Sequence, residues 1–169
     1  MPTIKVCDKI LAINFIYKIP EDNKLIIIYT IGFSKKNLRQ FITRLKDAGV
    51  NKLIDVRLNN TSQLAGYAKK DDLEYILSLV GIDYEHHPEL APTEELMKKF
   101  KKKQITWQDY EEEYNNILLQ RDPLKSIDFE KQDSPVCLLC SEDKPEECHR
   151  RLLAEYYSNL LPNVKIGHL

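Results

Sequence analysis

The run Leu25-Ile26-Ile27-Ile28-Tyr29-Thr30-Ile31 restricts the fold of this chain more than any other stretch. It is continuous, apolar and rich in β-branched side chains, so it reads as a strand covered on both faces; a strand with one wet face would alternate with polar residues. Such a strand needs helices above and below it, and the sequence supplies the first at once. Ser34 stands where an N-cap belongs, Leu38, Phe41, Ile42 and Leu45 recur at helical spacing, and Gly49 ends the helix.

The same unit then repeats. Lys52 to Val56 reads as a second strand, followed by a polar loop and by a helix whose apolar face is Leu73, Ile76, Leu77 and Val80, stopped at Gly81. Ile82 to His87 reads as a third strand. Thr93 and Thr106 cap two further helices, the first with acidic residues in its opening turn and lysines in its last, as the helix dipole favours. Trp107, Tyr110, Tyr114, Ile117 and Leu118 form one stripe on the second, and they read as core. Pro135 to Cys140 is a fourth strand, Arg150 to Leu161 a closing helix, and Asn163 to Leu169 a short last strand. Strands alternating with helices predict an α/β fold, a single three-layer α/β/α domain with a mostly parallel sheet of about five strands. That domain spans residues 25–169; residues 1–24 read as an N-terminal extension forming an edge strand or a hairpin.

A chain of 169 residues closes a hydrophobic core without disulfide or metal staples, so its four cysteines are not needed for stability. Thiols at this density fit a reducing compartment, and the cytoplasm is the default. The balance of 25 basic against 26 acidic residues gives the chain as a whole no electrostatic reason to seek nucleic acid or a membrane surface. The lysine run from Lys98 to Lys103 is a solvated helix end before it is a nucleic-acid patch, so such a partner is possible but not favoured. The early stretch Lys9 to Ile19 is broken by Asn14 and Lys18 and is too short to span a bilayer, so neither a transmembrane helix nor a signal peptide is expected.

In a parallel α/β sheet, ligands bind outside the carboxyl ends of the strands, where helix N-termini and loops converge. The chemically capable residues fall at those ends: Gly32 and Ser34 after strand one, Asp55 and Arg57 after strand two, His86 and His87 after strand three, Cys140 after strand four and His168 after strand five. Asp55 either orients a ligand or pairs with Arg57. His87, with Glu89 near it, suits general acid or base work, whereas His86 alternates to the other face and reads as structural.

The densest cluster is Cys137-x-x-Cys140 followed by Cys148-His149-Arg150. A four-ligand zinc site would need Cys137 and Cys140 on one ion. Residues three apart on a strand point to opposite faces and lie about 10 Å apart, and no glycine turns the chain back. Cys137 therefore reads as core, and neither a metal nor a cofactor is expected; a three-ligand set of Cys140, Cys148 and either His149 or His87 stays open.

The series Thr30-Ile31-Gly32-Phe33-Ser34, Asp55-Val56-Arg57, His86-His87-Pro88-Glu89-Leu90-Ala91-Pro92 and Cys137 to Glu155 resembles, in order and spacing, the domain of unknown function 488 family. The likeness runs from Ile27 to Leu169, and the Cys-His-Arg element is its most specific part. It implies a compact α/β domain with recurrent polar residues that suggest an enzyme, but no established reaction. Two departures stand out. Phe33 lies where many relatives carry histidine, and the loop after Arg57 lacks the usual Pro/Ser/Arg-rich character.

The start of the closing helix decides what Cys148 can do. If Pro145 were the first helical residue, Cys148 would lie past the free N–H groups; if Asp143 to Glu147 is a turn, Cys148, His149 and Arg150 can all face a ligand. The resemblance makes the triplet a unit and favours the second. The expected function is an enzyme-like site for a small anionic ligand, a nucleotide or phosphorylated metabolite. Cys140 or Cys148 is its nucleophile or redox thiol, His87 and His149 carry protons, Arg57 and Arg150 hold the anion, Asp55 orients, and Gly32 and Ser34 line the site. The alternatives are a non-enzymatic nucleic-acid or nucleotide-binding module, and a thiol-disulfide redox or metal-binding protein.

Overall fold

The computed structural model describes residues 24–61, 66–129 and 132–169. Strand β1 (Ile26–Gly32) leads to helix α1 (Leu38–Asp47), and β2 (Lys52–Asp55) to α2 (Lys70–Leu79). After β3 (Asp83–His86) come α3 (Glu94–Lys101) and α4 (Trp107–Arg121), then β4 (Val136–Cys140), α5 (His149–Leu160) and β5 (Val164–His168). The described strands form one five-stranded sheet of order β3-β2-β4-β1-β5, and every pairing in it is parallel. The expected α/β class with helices in two layers around a parallel sheet is the observed one. The N-terminal extension lies outside the described residues up to residue 23.

Strand β4 is central, and all five of its residues are buried. Its side chains alternate between two cores. Val136 and Leu138 join Ile28 and Ile54 beneath α4 and α5, where Tyr114, Leu118, Leu153 and Tyr157 close the layer. Cys137 and Leu139 join Ile31 and Leu53 on the other face, beneath Phe41 and Leu45 of α1 and Leu73 and Leu77 of α2. The period-two alternation sends Cys140 to the α4 and α5 side and Cys137 to the α1 and α2 side.

Local sequence explains most boundaries. Thr106 and Asp109 make a capping box at α4, and Thr93 caps α3 by accepting from Leu96 N–H. Gly49 and Gly81 adopt φ of 68° and 74° just past α1 and α2, a conformation glycine enters without a Cβ penalty. The cap of α1 differs from the expectation: Asn37, not Ser34, accepts from Gln40 N–H, while Gln40 answers the Asn37 N–H. Ser34 N–H is instead bonded to the Ser141 carbonyl, which draws the chain across the sheet edge before the helix can begin. Four strands are also shorter than expected, since Val56, Ile82, His87, Pro135, Asn163 and Leu169 lie beyond the paired segments.

A buried ion pair closes the carboxyl end of β2. The Asp55 carboxylate, fully buried, accepts from Arg57 Nε at 2.8 Å, from Arg57 NH2 at 2.6 Å and from the Tyr84 hydroxyl at 2.7 Å. Arg57 NH2 also donates to the Ala68 carbonyl, and Asn60 donates to the Tyr84 hydroxyl, so the loop after β2 is tied to α2 and to β3. Removing one partner leaves an uncompensated charge in the core. Asp55→Ala should therefore lower the unfolding free energy by about 3–5 kcal/mol in urea titrations, and adding Arg57→Met should recover part of that loss.

Candidate functional site

Adjacent strands β1 and β4 send their chains to opposite faces of the sheet, β1 to α1 and β4 to α5. Such a point is where the carboxyl edge of an open α/β sheet forms a crevice. Here Gly32 is paired with Cys140, and the segment after Cys140 folds over Gly32. A Cβ on Gly32 would stand 1.6 Å from the Glu142 carbonyl oxygen, so only glycine admits this crossing.

The crossing is held by Arg150, which is 1 % exposed. Its NH1 donates to the Glu142 carbonyl at 2.6 Å and to Cys148 Sγ at 3.2 Å, its NH2 to the Asp143 carbonyl, and its Nε to Thr30 Oγ1. Lys36 adds an ion pair to Asp143 at 2.9 Å. Thr30 Oγ1 also meets His168 Nδ1 at 2.8 Å, which brings the end of β5 into the network. Burial, and then the Arg150 charge, hold His168 below the usual imidazole range.

The loop resolves the question of where α5 begins. Cys148 is its N-cap residue in extended conformation, and the Cys148 N–H bonds the Pro145 carbonyl, so the preceding residues form a turn. Cys148, His149 and Arg150 consequently enter the sheet edge together. Cys140, Cys148 and His149 are 4 %, 2 % and 8 % exposed, and their donor atoms all lie within 4.8 Å of one another.

His149 is oriented from both sides. Its Nε2 lies 3.0 Å from the Val56 carbonyl, which can only accept, so Nε2 carries a proton. Nδ1 is left facing Cys140 Sγ at 3.6 Å. The Tyr114 ring meets the imidazole edge-on, with centroids 5.9 Å apart. A thiol, an imidazole and a fixed acceptor behind the imidazole are thus aligned in that order.

The sulfurs differ sharply. The neighbouring Cys148 thiol lowers the Cys140 pKa; burial opposes this, while N–H groups of Glu142 and Ser141 and the Arg150 charge reinforce it. The Cys140 sulfur beside it, together with burial, pushes the Cys148 pKa well up. Cys137, buried on the other face, is pushed up by desolvation.

Three donor atoms this close could share a cation. They are one short of a closed structural zinc set, and the Arg150 guanidinium already bonds the Cys148 sulfur, where its positive charge works against a second cation.

The remaining expected residues fall around this cluster unevenly. Arg57 has its guanidinium over the Phe33 ring at 5.2 Å and feels the Cys140 charge, although its Nε and NH2 are committed to Asp55 and Ala68. Asp55 is thus the partner of Arg57. Ser34 reaches the cluster through its backbone. His87 stands apart: Glu89 and Glu85 bracket its ring at 2.7 and 3.2 Å, and it follows the edge strand, two strands from Cys140. His86 bonds the Arg57 carbonyl through Nε2 at 2.9 Å. Sequence reasoning missed Thr30, the Val56 carbonyl and Tyr114. Only Thr30 carried a signal, as the sole hydroxyl-bearing aliphatic side chain in the first apolar strand.

With this geometry established, comparison with known families matches residues 37–157 to the Domain of unknown function DUF488. The chain belongs to this family. No curated protein and no solved structure matches it. Among the described residues no helix is long and apolar enough to cross a membrane. The lysine run of this DUF488 protein is partly neutralised within its own helix, since Lys98 pairs with Glu94 and Lys99 with Glu95.

Gly32 gives the site its sharpest structural test. Gly32→Ala should cost at least about 1–3 kcal/mol, because the Cβ meets backbone that cannot rotate away. It should also release the segment at Glu142 from Arg150, seen as faster amide exchange at residues 141–143 than in the parent protein.

Proposed function

We propose that this DUF488 protein is a thiol-dependent enzyme in which Cys140 is the nucleophile toward a small anionic substrate, of the nucleotide or phosphorylated-metabolite class. The single observation that carries the reading is the relay from Cys140 Sγ to His149 Nδ1 and from His149 Nε2 to the Val56 carbonyl. In this reading the Cys140 proton passes to Nδ1, and the imidazolium is stabilised by its Nε2–H bond to the carbonyl. The thiolate forms the new bond to the electrophilic centre of the substrate, and His149 returns its proton to the leaving group.

Preference for an anion follows from the charges around the thiolate. Arg150 lends positive potential to Cys140, Arg57 adds a smaller share because Asp55 compensates most of its charge, and the α5 N-terminus adds its dipole. Arg57 keeps that charge in place through Asp55, which makes Asp55 a positioning residue for the anion site. Gly32 supports the site by letting the loop close over it. His87 has no bond to this cluster and enters the reading only as a flanking group.

The test is alkylation by iodoacetamide, mapped cysteine by cysteine against pH. Cys140 should react with an apparent pKa below the free-thiol value of about 8.5, and Cys137 should not react in the folded protein. His149→Asn should lower the Cys140 rate constant at neutral pH by about tenfold or more, as a one-unit rise in pKa requires. Inorganic phosphate should slow the reaction at Cys140. Free-thiol behaviour of Cys140 in the folded protein, or an unchanged rate in His149→Asn, would overturn the nucleophile assignment. Indifference to phosphate would remove the anionic substrate alone.

A further inference from the structure

Cys148 has no task in the relay, yet its sulfur lies within 4.8 Å of the Cys140 sulfur. We propose that Cys148 is a resolving thiol: a hydroperoxide oxidises Cys140, and Cys148 captures the product as a Cys140–Cys148 disulfide. The inference rests on the reading of Cys140 as the reactive thiolate.

The chemistry balances with hydrogen peroxide as the only oxidant. The Cys140 thiolate attacks one peroxide oxygen, the O–O bond breaks, and the departing hydroxide takes a proton to leave as water; Cys140 becomes a sulfenic acid. Cys148 sulfur then attacks Cys140 sulfur, the S–O bond breaks, and the hydroxyl leaves with the Cys148 proton as a second water. Two thiols lose two electrons, and one peroxide gains them. A dithiol reductant reverses the product by exchange.

Several features assign the roles in this order and not the reverse. Cys140 Sγ faces His149 Nδ1 at 3.6 Å, an acceptor for its proton, so Cys140 is the sulfur that attacks first, and its lowered pKa beside the raised one of Cys148 agrees. Cys148 keeps its proton until the Cys140 thiolate is consumed. When it attacks, Arg150 NH1 at 3.2 Å is already in place to stabilise the thiolate that forms. Closure to an S–S bond of about 2.05 Å requires the two short side chains to move by about 2–3 Å between them. Cys140 is the last residue of β4, paired with β1 but not with β2, and Cys148 is an N-cap outside the regular turns of α5, so neither sulfur is fixed within a helix or a strand pairing on both sides.

The third described thiol is poorly placed. Cys137 is buried under α1 and α2 on the opposite face of the sheet, and period-two alternation keeps it there. The near-complete burial of Cys140 and Cys148 favours an oxidant as small as hydrogen peroxide.

The experiment uses the full chain, reduced, freed of reductant and treated with equimolar hydrogen peroxide, then read by intact mass and peptide mapping. The expected result is a loss of about two mass units, a Cys140–Cys148 linked peptide, and full reversal by dithiothreitol. Cys137→Ser should behave identically, whereas Cys148→Ser should give dimedone-trappable sulfenic acid at Cys140 and then sulfinic acid. The wild-type map decides the matter even if Cys148→Ser does not fold. Sulfinic acid at Cys140 beside a free Cys148, or a Cys140 that alkylates with a depressed pKa but is not oxidised, would overturn the resolving role and leave the nucleophile intact. A Cys140 that neither oxidises nor alkylates would overturn both.

Discussion

The guanidinium of Arg150 is the interaction on which the rest of the sheet edge depends. It reaches from the first turn of α5 to a hydroxyl in the middle of β1, to two carbonyls of the returning loop and to a sulfur. A charge at 1 % exposure is tolerable only because each of its nitrogens has an acceptor, and four of its partners come from other parts of the chain than the helix that bears it. Take it away and the loop loses its bonds to the guanidinium at Glu142 and Asp143, Thr30 loses a donor, and the Cys148 sulfur loses the cation beside it. Gly32 is the complement of this arrangement. A side chain there would occupy the space of the carbonyl that Arg150 binds.

A second buried arginine works under the same rule but to a different end. Arg57 is neutralised by a carboxylate in its own loop, so the Asp55 pair can close the end of β2 without help from β4. Arg150 has no carboxylate among its bonded partners; its charge is met by carbonyl dipoles, a hydroxyl and a sulfur. Uncompensated formal charge beside a thiol favours the thiolate, whereas a compensated arginine mainly holds structure. That contrast explains why the cysteines gather around α5 and not around the β2 loop.

The layering was legible in the sequence because it depends on period. Apolar runs of strand length, each followed by an amphipathic helix, suffice to predict a parallel sheet with helices on both faces, and parity along β4 separates Cys137 from Cys140. The site was legible as a set of strand ends and as the Cys-His-Arg unit. Less legible was how those ends share the work. Spacing cannot tell that Arg57 would turn back on Asp55, because that pairing depends on Ala68 and Tyr84 closing around it. Nor can it reveal the Val56 carbonyl, since a backbone acceptor has no residue type. Ser34 misled for a related reason: a hydroxyl before an amphipathic run satisfies the cap pattern, but the tertiary bond from its N–H to Ser141 holds that residue out of the helix and passes the role to Asn37.

These constraints bear on what kind of chemistry the edge can support. A site that binds by exposed arginines pays for specificity with solvent screening, since water competes for every donor. Here the donors near Cys140 are turned inward onto protein acceptors, and the sulfur itself is almost wholly covered. The low dielectric strengthens each interaction with a charge on that sulfur and raises the cost of any charge left unmet. A thiolate at Cys140 relieves the positive excess of Arg150 and of the α5 N-terminus at once, and proton transfer to His149 keeps the relay bonded at both ends. The buried edge is therefore suited to holding the Cys140 sulfur in a defined ionic state, and the same burial that covers the sulfur sets the strength of that hold.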